Sequence, residues 1–567
     1  SGGSGAAPSW AAVPPAGNTF TAVANGSIAN NKAVKLDTDG KVSQIAESVT
    51  NHSVPTKIGS GSDTAIVQFT LNDKYAQWMR IARISDTQYA CLWWSSVDEK
   101  IRSRIFTVNG ESFSVHTPLT DTPEMQELAT DEYARDLDIV YDPNRGKLLA
   151  VWTDSNHHCV AKVGTVSGTG TSATITWDSS TTTIRSGSSS SKTRNNCLVW
   201  NEDLNNFGYF YYTDASPDKY YGKIVTINSS GGIELGTELD LTFSNDDFPI
   251  GTIYSLDAVY DTTNNRFGVW LSAIDSNSTT RYRGMGVCLS ASGSGTSAAL
   301  TKQSGHQGNI AYWRLVTSYN HSKYAHFKCC YIPENDLVAV TYQDTADWKV
   351  KMRFFQSNDT NVDFNFGSET TFLEPTGNTT MGLWSMVYSP GINKPVVFYV
   401  DTDGKLYSFI LNISGNTHSA TYTKSNITTL HSNTDWYRKS AAGWNSQSTN
   451  MQRAVASASG GQLFFPCING SSISNRESYI VSAKVQDVTP NFTAADTYVG
   501  FADAAYTNGQ TVTVKTYGNN VSTLSGLTIG SKYYVQHNGT VGTTAPSTNA
   551  IAGIAIAADK LLIREPT

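Results

Sequence analysis

Asp138-Ile139-Val140-Tyr141-Asp142-Pro143-Asn144-Arg145-Gly146-Lys147-Leu148-Leu149-Ala150-Val151-Trp152 reads as a strand, a turn and a second strand. Ile139 and Tyr141 alternate with polar neighbours, Asp-Pro-Asn-Arg-Gly is turn chemistry, and Leu148 to Trp152 is a short apolar run of the kind that becomes a buried strand. The design returns as Leu256-Asp257-Ala258-Val259-Tyr260-Asp261-Thr262-Thr263-Asn264-Asn265-Arg266-Phe267-Gly268-Val269-Trp270, with Tyr-Asp, Asn, Arg and Val-Trp in matching places.

Looser copies share an aromatic residue, a polar turn and a strand ending in Trp or Tyr. They are Cys197-Leu198-Val199-Trp200 to Tyr212, Cys329-Cys330-Tyr331-Ile332-Pro333 to Tyr342, and Met386-Val387-Tyr388-Ser389-Pro390 to Tyr399. Two degenerate copies flank the series: Ile84 to Trp94 before it, and Ala442-Gly443-Trp444-Asn445 to Ala456 at its end. Counting along the anchors Ile84, Tyr141, Trp200, Tyr260, Tyr331, Tyr388 and Trp444 gives steps of 57, 59, 60, 71, 57 and 56 residues. A step of that size holds about four strands with their loops, so the repeat predicts a seven-bladed β-propeller.

The 567 residues exceed one ordinary domain, while a propeller absorbs about 400 of them as a single unit. Charged residues are 16% and hydrophobic ones 39%, and Ser, Thr, Asn and Gly crowd the connections, which predicts an all-β chain of short strands. A net charge of −7 without a Lys/Arg cluster argues against nucleic acid and against an anionic membrane as partners. No run of about 18 apolar residues is present, so no helical membrane insertion is expected. Ser1–Gly17, rich in Gly, Ala, Pro and Ser, is expected to be a processed and flexible tail. The seven cysteines are odd in number and dispersed, which predicts reduced core thiols and folding in a cytosol rather than a disulfide framework.

The chain ends carry a second theme. Asn31-Lys32-Ala33-Val34-Lys35-Leu36-Asp37-Thr38-Asp39-Gly40-Lys41-Val42 reads as a hairpin, and its form recurs at Asn508 to Gly518 and at Gly530 to Val541. The expectation is one small β-domain built from both ends, with the propeller inserted between them. The expected divisions are 1–17 tail, 18–55 and 486–567 small β-domain, and 56–485 propeller, with linkers near Thr50 to Gly61 and Val485 to Ala494.

Candidate chemistry is sparse. Asp37-Thr38-Asp39-Gly40 and Asp401-Thr402-Asp403-Gly404 resemble the start of a calcium loop, but the later acidic ligands are missing and both read as turns. His157-His158-Cys159 has metal-ligand types without a second pair at finger-like spacing. Cys329-Cys330 reads as two thiols in a strand, with a vicinal disulfide as the alternative. Asp142 and Asp261 sit where turns begin. Trp152, Trp270, Tyr342 and Tyr399 are expected in the packing between blades, whereas Trp436 and Tyr437 in a polar loop could form a binding surface. An insertion around Gly305 to His321 should project from the ring. No residue is assigned as catalytic, as cofactor-binding or as a metal ligand, and no cofactor is expected.

Ala24-Asn25-Gly26-Ser27-Ile28 through Val42, with Tyr498-Val499-Gly500-Phe501-Ala502, Gly526 to Val535 and Ala552 to Ile563, resembles modules found on tailed-phage virion proteins. The resemblance covers about a fifth of the chain. It implies a non-enzymatic tail fibre, spike or capsid-decorating subunit, assembled in the host cytoplasm and placed on the virion surface. Its expected partners are other virion proteins through the two-ended β-domain, a host glycan or protein through the propeller, and further copies of itself. Two alternatives stand beside it: a sialidase-like depolymerase, whose Asp-box has one partial match at Asp401 to Tyr407, and a secreted adhesin, for which the triplets at Asn277, Asn378 and Asn426 would matter.

Overall fold

The computed structural model describes residues 18–564 except 59–65, 69–75, 96–99, 110–111, 116–136, 170–171, 189, 216–217, 243–249, 276–281, 303–310, 314–326, 344–348, 358–363, 375–383, 433–452, 470–476, 494–496, 544 and 547. No α-helix occurs among the described residues, and the chain is all-β. Its packing divides it into two units, Ser1–Asn51 with Asp487–Thr567, and His52–Gln486.

In the larger unit, seven sheets follow one another among the described residues, each an antiparallel meander. Their leading strands are Ala76–Arg83, Asp138–Asp142, Lys192–Asn201, Ile250–Asp261, Phe327–Ile332, Trp384–Ser389 and Val455–Ala456. The seventh sheet takes its outer strand, Glu47–Lys57, from the start of the chain, where it lies beside Glu477–Pro490. These two long strands occupy much of the stretches expected to be linkers. The sequence conceals the first because most of Glu47–Lys57 is exposed and its side chains are accordingly polar.

The second strand of each sheet explains the short apolar runs. In Lys147–Thr153, Leu148, Ala150 and Trp152 enter the apolar cluster shared with the first sheet, whereas Leu149 and Val151 enter the one shared with the third. The same alternation in Lys394–Val400 sends Val396, Phe398 and Val400 one way and Val397 and Tyr399 the other. Both faces are covered, so the run is apolar throughout rather than every second residue. Seven such clusters lie between successive sheets, the last joining Phe464 and Ile480 of the seventh to Tyr89, Trp93 and Phe106 of the first.

The turns expected at Asp142 and Asp261 form as the sequence suggests. Asp142 Oδ1 accepts the N–H groups of Asn144 at 2.9 Å and Arg145 at 3.0 Å, and Asp261 Oδ1 accepts those of Thr263 and Asn264, both at 3.0 Å. Tyr141, Trp200, Tyr260, Tyr331 and Tyr388 occupy matching places, opposite Leu148, Phe207, Phe267, Val338 and Pro395. Trp444 lies outside the described residues. The seventh sheet begins instead at Val455–Ala456, which pairs with Gln462–Asn469, so the segment taken as the end of the last copy is its start. In the first sheet Arg83, opposite Tyr89, holds the place assigned to Ile84, because the Ser85–Thr87 turn is one residue tighter.

The smaller unit contains two five-stranded sheets. In one, the order is Thr19–Val23, Thr511–Lys515, Tyr498–Ala502, Ala33–Leu36, Val42–Gln44, which interleaves strands from the two ends of the chain. The other runs Asn520–Val521, Lys560–Ile563, Ile551–Ala557, Lys532–Val535, Val541–Gly542. Ala33 and Ile45 share one apolar cluster with Phe501, Tyr533, Leu561 and Ile563. The expected apolar face of Val34 and Leu36 is only half present: Val34 is buried, but Leu36 is 42% exposed. A register shift between Val34 and Lys35, against Gly500 and Tyr498, turns the following residue out of the core.

Candidate functional site

The leading strands of all seven sheets line one cavity of about 760 Å³. A marked residue stands three places before the anchor of each sheet, the anchor being Arg83 in the first and Ala456, opposite Leu463, in the seventh: Arg80, Asp138, Cys197, Asp257, Lys328, Ser385 and Arg453. The first six face Leu92, Val151, Phe210, Trp270, Thr341 and Phe398 across their sheets. Arg453 lies two residues before Val455, where the seventh leading strand begins. Five of the seven are charged, and of these Arg80, Asp138, Asp257 and Lys328 are buried while the Arg453 side chain is 29% exposed.

The acceptors among them lace neighbouring sheets in pairs. Asp138 Oδ2 accepts the Leu198 N–H at 2.8 Å, Asp257 Oδ2 the Cys329 N–H at 2.9 Å, and Ser385 Oγ the Ala454 N–H at 2.8 Å. The donor each time is the residue following the marked position on the next sheet. Arg453 then crosses the cavity. It hydrogen-bonds the Asp257 carboxylate, donates to Cys197 Sγ at 3.0 Å and to the Leu198 carbonyl at 3.4 Å, and lies 3.7 Å from Asp138 Oδ2. Arg80 Nε stands 3.5 Å from the other oxygen of Asp138.

Burial works against every charge here, and the neighbours decide which survives. Burial alone would raise the Asp257 carboxyl, yet Arg453, Lys328 and the Cys329 N–H outweigh it and hold it below the usual carboxylate range. Burial lowers Arg80 to about 10 despite Asp138. Burial lowers Lys328 to about 7, opposed by Asp257 and assisted by Arg80 and Arg453. Burial also pushes the Cys197 thiol up to about 12. The two carboxylates are thus committed to arginines and backbone N–H groups. Glycoside hydrolysis needs one carboxyl kept protonated as an acid and a second left free to act as base or nucleophile.

The sites weighed in the sequence fall elsewhere. His157 sits in a turn at φ +68°, His158 Nδ1 accepts the Gly187 N–H at 3.0 Å, and buried Cys159 accepts from the Tyr209 hydroxyl at 2.7 Å, so the three serve different local contacts. Cys329 and Cys330 are free thiols. Asp37 is bonded to Lys35 at 2.5 Å and Asp403 to Lys405 at 2.9 Å, within tight turns that close at Gly40 and Gly404. Trp152, Trp270 and Tyr342 are fully buried and Tyr399 nearly so. Asn426 is exposed. Trp436, Tyr437, Asn277, Asn378 and most of the Gly305 to His321 insertion lie outside the described residues. The cavity residues escaped the sequence reading because their types differ from copy to copy. The available signal was a charge three residues before the anchor aromatic, at Asp138, Asp257 and Lys328.

No protein-family model and no curated protein matches the sequence. Among solved structures, the chain is similar to the periplasmic gluconolactonase PpgL of Pseudomonas aeruginosa, with TM-score 0.38 and 9% identity over 73% of this chain and 99% of that one. It is similar to AofleA of Arthrobotrys oligospora, with TM-score 0.35 and 7% identity over 72% of this chain and 97% of that one. A Lactobacillus plantarum protein gives TM-score 0.36 and 11% identity, over 61% and 84%. Scores this low leave function to be read from this chain's own residues.

Proposed function

We propose that this chain is a non-enzymatic virion surface protein in which a seven-bladed β-propeller is inserted into a small β-domain built from both termini. The carrying observation is the strand order of the smaller unit, in which Thr19–Val23 pairs with Thr511–Lys515 and Ala33–Leu36 with Tyr498–Ala502. An element closed by both ends suits an anchor, and residues between them suit display. The seven sheets are read as blades, with the ring closed by Glu47–Lys57 on the seventh. Attachment to a host glycan or protein, and self-association at the anchor, belong to the same proposal.

The state of Asp138 and Asp257 favours binding over hydrolysis, since both carboxylates are engaged by Arg453. Mass spectrometry of purified virions tests the placement: abundant peptides from both units support it, and particles without the chain refute it. Incubation of the pure protein with host envelope polysaccharide tests the chemistry. Release of reducing sugar that a single Asp or Glu substitution abolishes would replace attachment with the depolymerase reading.

A further inference from the structure

Lys328 is the cavity's unpaired group. It is 4% exposed, it lines the cavity, and its Nζ has neither a hydrogen bond nor an ion pair to any described residue. The arginines beside it are already engaged, Arg80 with Asp138 and Arg453 with Asp257 and Asp138. Among the charged residues that line the cavity, Arg80 and Arg453 balance Asp138 and Asp257, and the exposed Arg83 and Glu202 offset one another, which leaves one buried amine to be neutralised. A buried ammonium without a counter-ion is costly, so the amine gives up its proton near neutral pH unless an anion joins it.

We infer that the cavity binds a small monocarboxylate with an apolar body, its acid group taken by Lys328 Nζ. The chemistry of the walls sets the class. Ile139, Leu198, Val259, Met386 and Val455 present apolar surface, and about 760 Å³ is the volume of a site for a small molecule. One available positive charge matches one negative charge; a phosphate dianion would bring a second charge into the cavity with nothing to meet it. The inference does not rest on the virion reading, because it is argued from the cavity's own residues alone.

Binding is coupled to a proton, because the carboxylate favours the ammonium form of Lys328. The other groups facing this amine are Asp257 on the fourth sheet, Arg80 and Arg453 on the first and seventh, and the adjacent Cys329 thiol. Asp257 is held low and Cys329 is pushed well above its usual range, so neither changes charge near neutrality. Asp138 and Cys197 complete the surroundings, the latter a thiol raised to about 12.

Titration calorimetry of the full chain with benzoate and with hexanoate tests the site, run near neutral pH in two buffers of different ionisation enthalpy. The expected result is saturable binding of at least one probe, uptake of a fraction of a proton per ligand, and affinity about tenfold or more weaker about two pH units above neutrality. Lys328→Met keeps the stem and removes the amine, and should weaken binding about tenfold or more and abolish proton uptake. No saturable binding of either probe at millimolar concentrations overturns the inference, as does binding without proton uptake. If Lys328→Met does not fold, proton uptake by the wild-type chain decides alone.

Discussion

Arg453, two residues before the seventh leading strand, hydrogen-bonds the carboxylate of Asp257 on the fourth, so a single guanidinium ties together sheets distant in the chain. Asp257 is buried and the Arg453 side chain is 29% exposed, so removing the arginine leaves a buried carboxylate without its main partner. Asp257→Ala should cost about 3–5 kcal/mol in urea unfolding, and Arg453→Met a similar amount. The double variant Arg453→Met, Asp257→Leu should cost clearly less than the two singles together. Because the Asp257 carboxyl is held below its ordinary range, its contribution is present above about pH 4 and is lost as acid protonates it. Additive singles, each within about 1 kcal/mol of wild type, would show that the contact carries little.

Lys328 predicts the opposite limb. Its amine titrates at about 7 in the folded chain against 10.5 when unperturbed. Between these values the unfolded chain holds a proton that the folded chain lacks, so stability rises with pH across this window and its penalty is fully present below it. Without added carboxylate, urea midpoints should climb from about pH 7 to about pH 10. Lys328→Met should flatten that rise and stabilise the chain at neutral pH.

Trp270 lies between two glycines of its own sheet. A Cβ on Gly286 would sit 2.7 Å from the Trp270 Nε1, and one on Gly268 would intrude into the same ring. Gly286→Ala and Gly268→Ala should therefore each destabilise by about 1–3 kcal/mol in urea unfolding, through displacement of a fully buried indole. Neutral substitutions at both positions would mean that the seam between the fourth and fifth sheets is loosely packed.

All seven thiols are free, and six are buried, with Cys329 half-buried. Burial pushes Cys288 and Cys330 up to about 12 and Cys91 and Cys467 well beyond their usual range. A thiol-exchange reagent at about pH 8 should leave them largely unmodified in the folded chain and titrate seven in denaturant. Rapid reaction of several thiols in the native state would contradict the burial.

The aromatic anchors were legible in the sequence because Tyr141 and Tyr260 sit beside turn-forming aspartates whose chemistry is local. The residues three places upstream were not. Arg80, Asp138, Cys197, Asp257, Lys328, Ser385 and Arg453 share only a position, and they acquire meaning when seven strands converge on one cavity. Leu36 escaped for a different reason: alternation foretells its face only while the register holds, and the shift after Val34 breaks it. The long strand Glu47–Lys57 escaped because an exposed edge strand has no apolar pattern to betray it, and Val488 and Thr489, near the end of the neighbouring Glu477–Pro490, are exposed in the same way.

The central claim is that one anchor is made from both chain ends around an inserted propeller. Hydrogen exchange on a chain lacking residues 18–48 tests it most directly. The account predicts that amides after Asn491 lose protection, because Tyr498–Ala502 and Thr511–Lys515 lose their partners and the apolar cluster loses Ala33 and Ile45. Protection in the second to sixth sheets should persist, since each packs on its neighbours. Retained protection at Thr511–Lys515 and Lys532–Val535 in the truncated chain would show that the C-terminal segment folds without the N-terminal one, and would contradict the account.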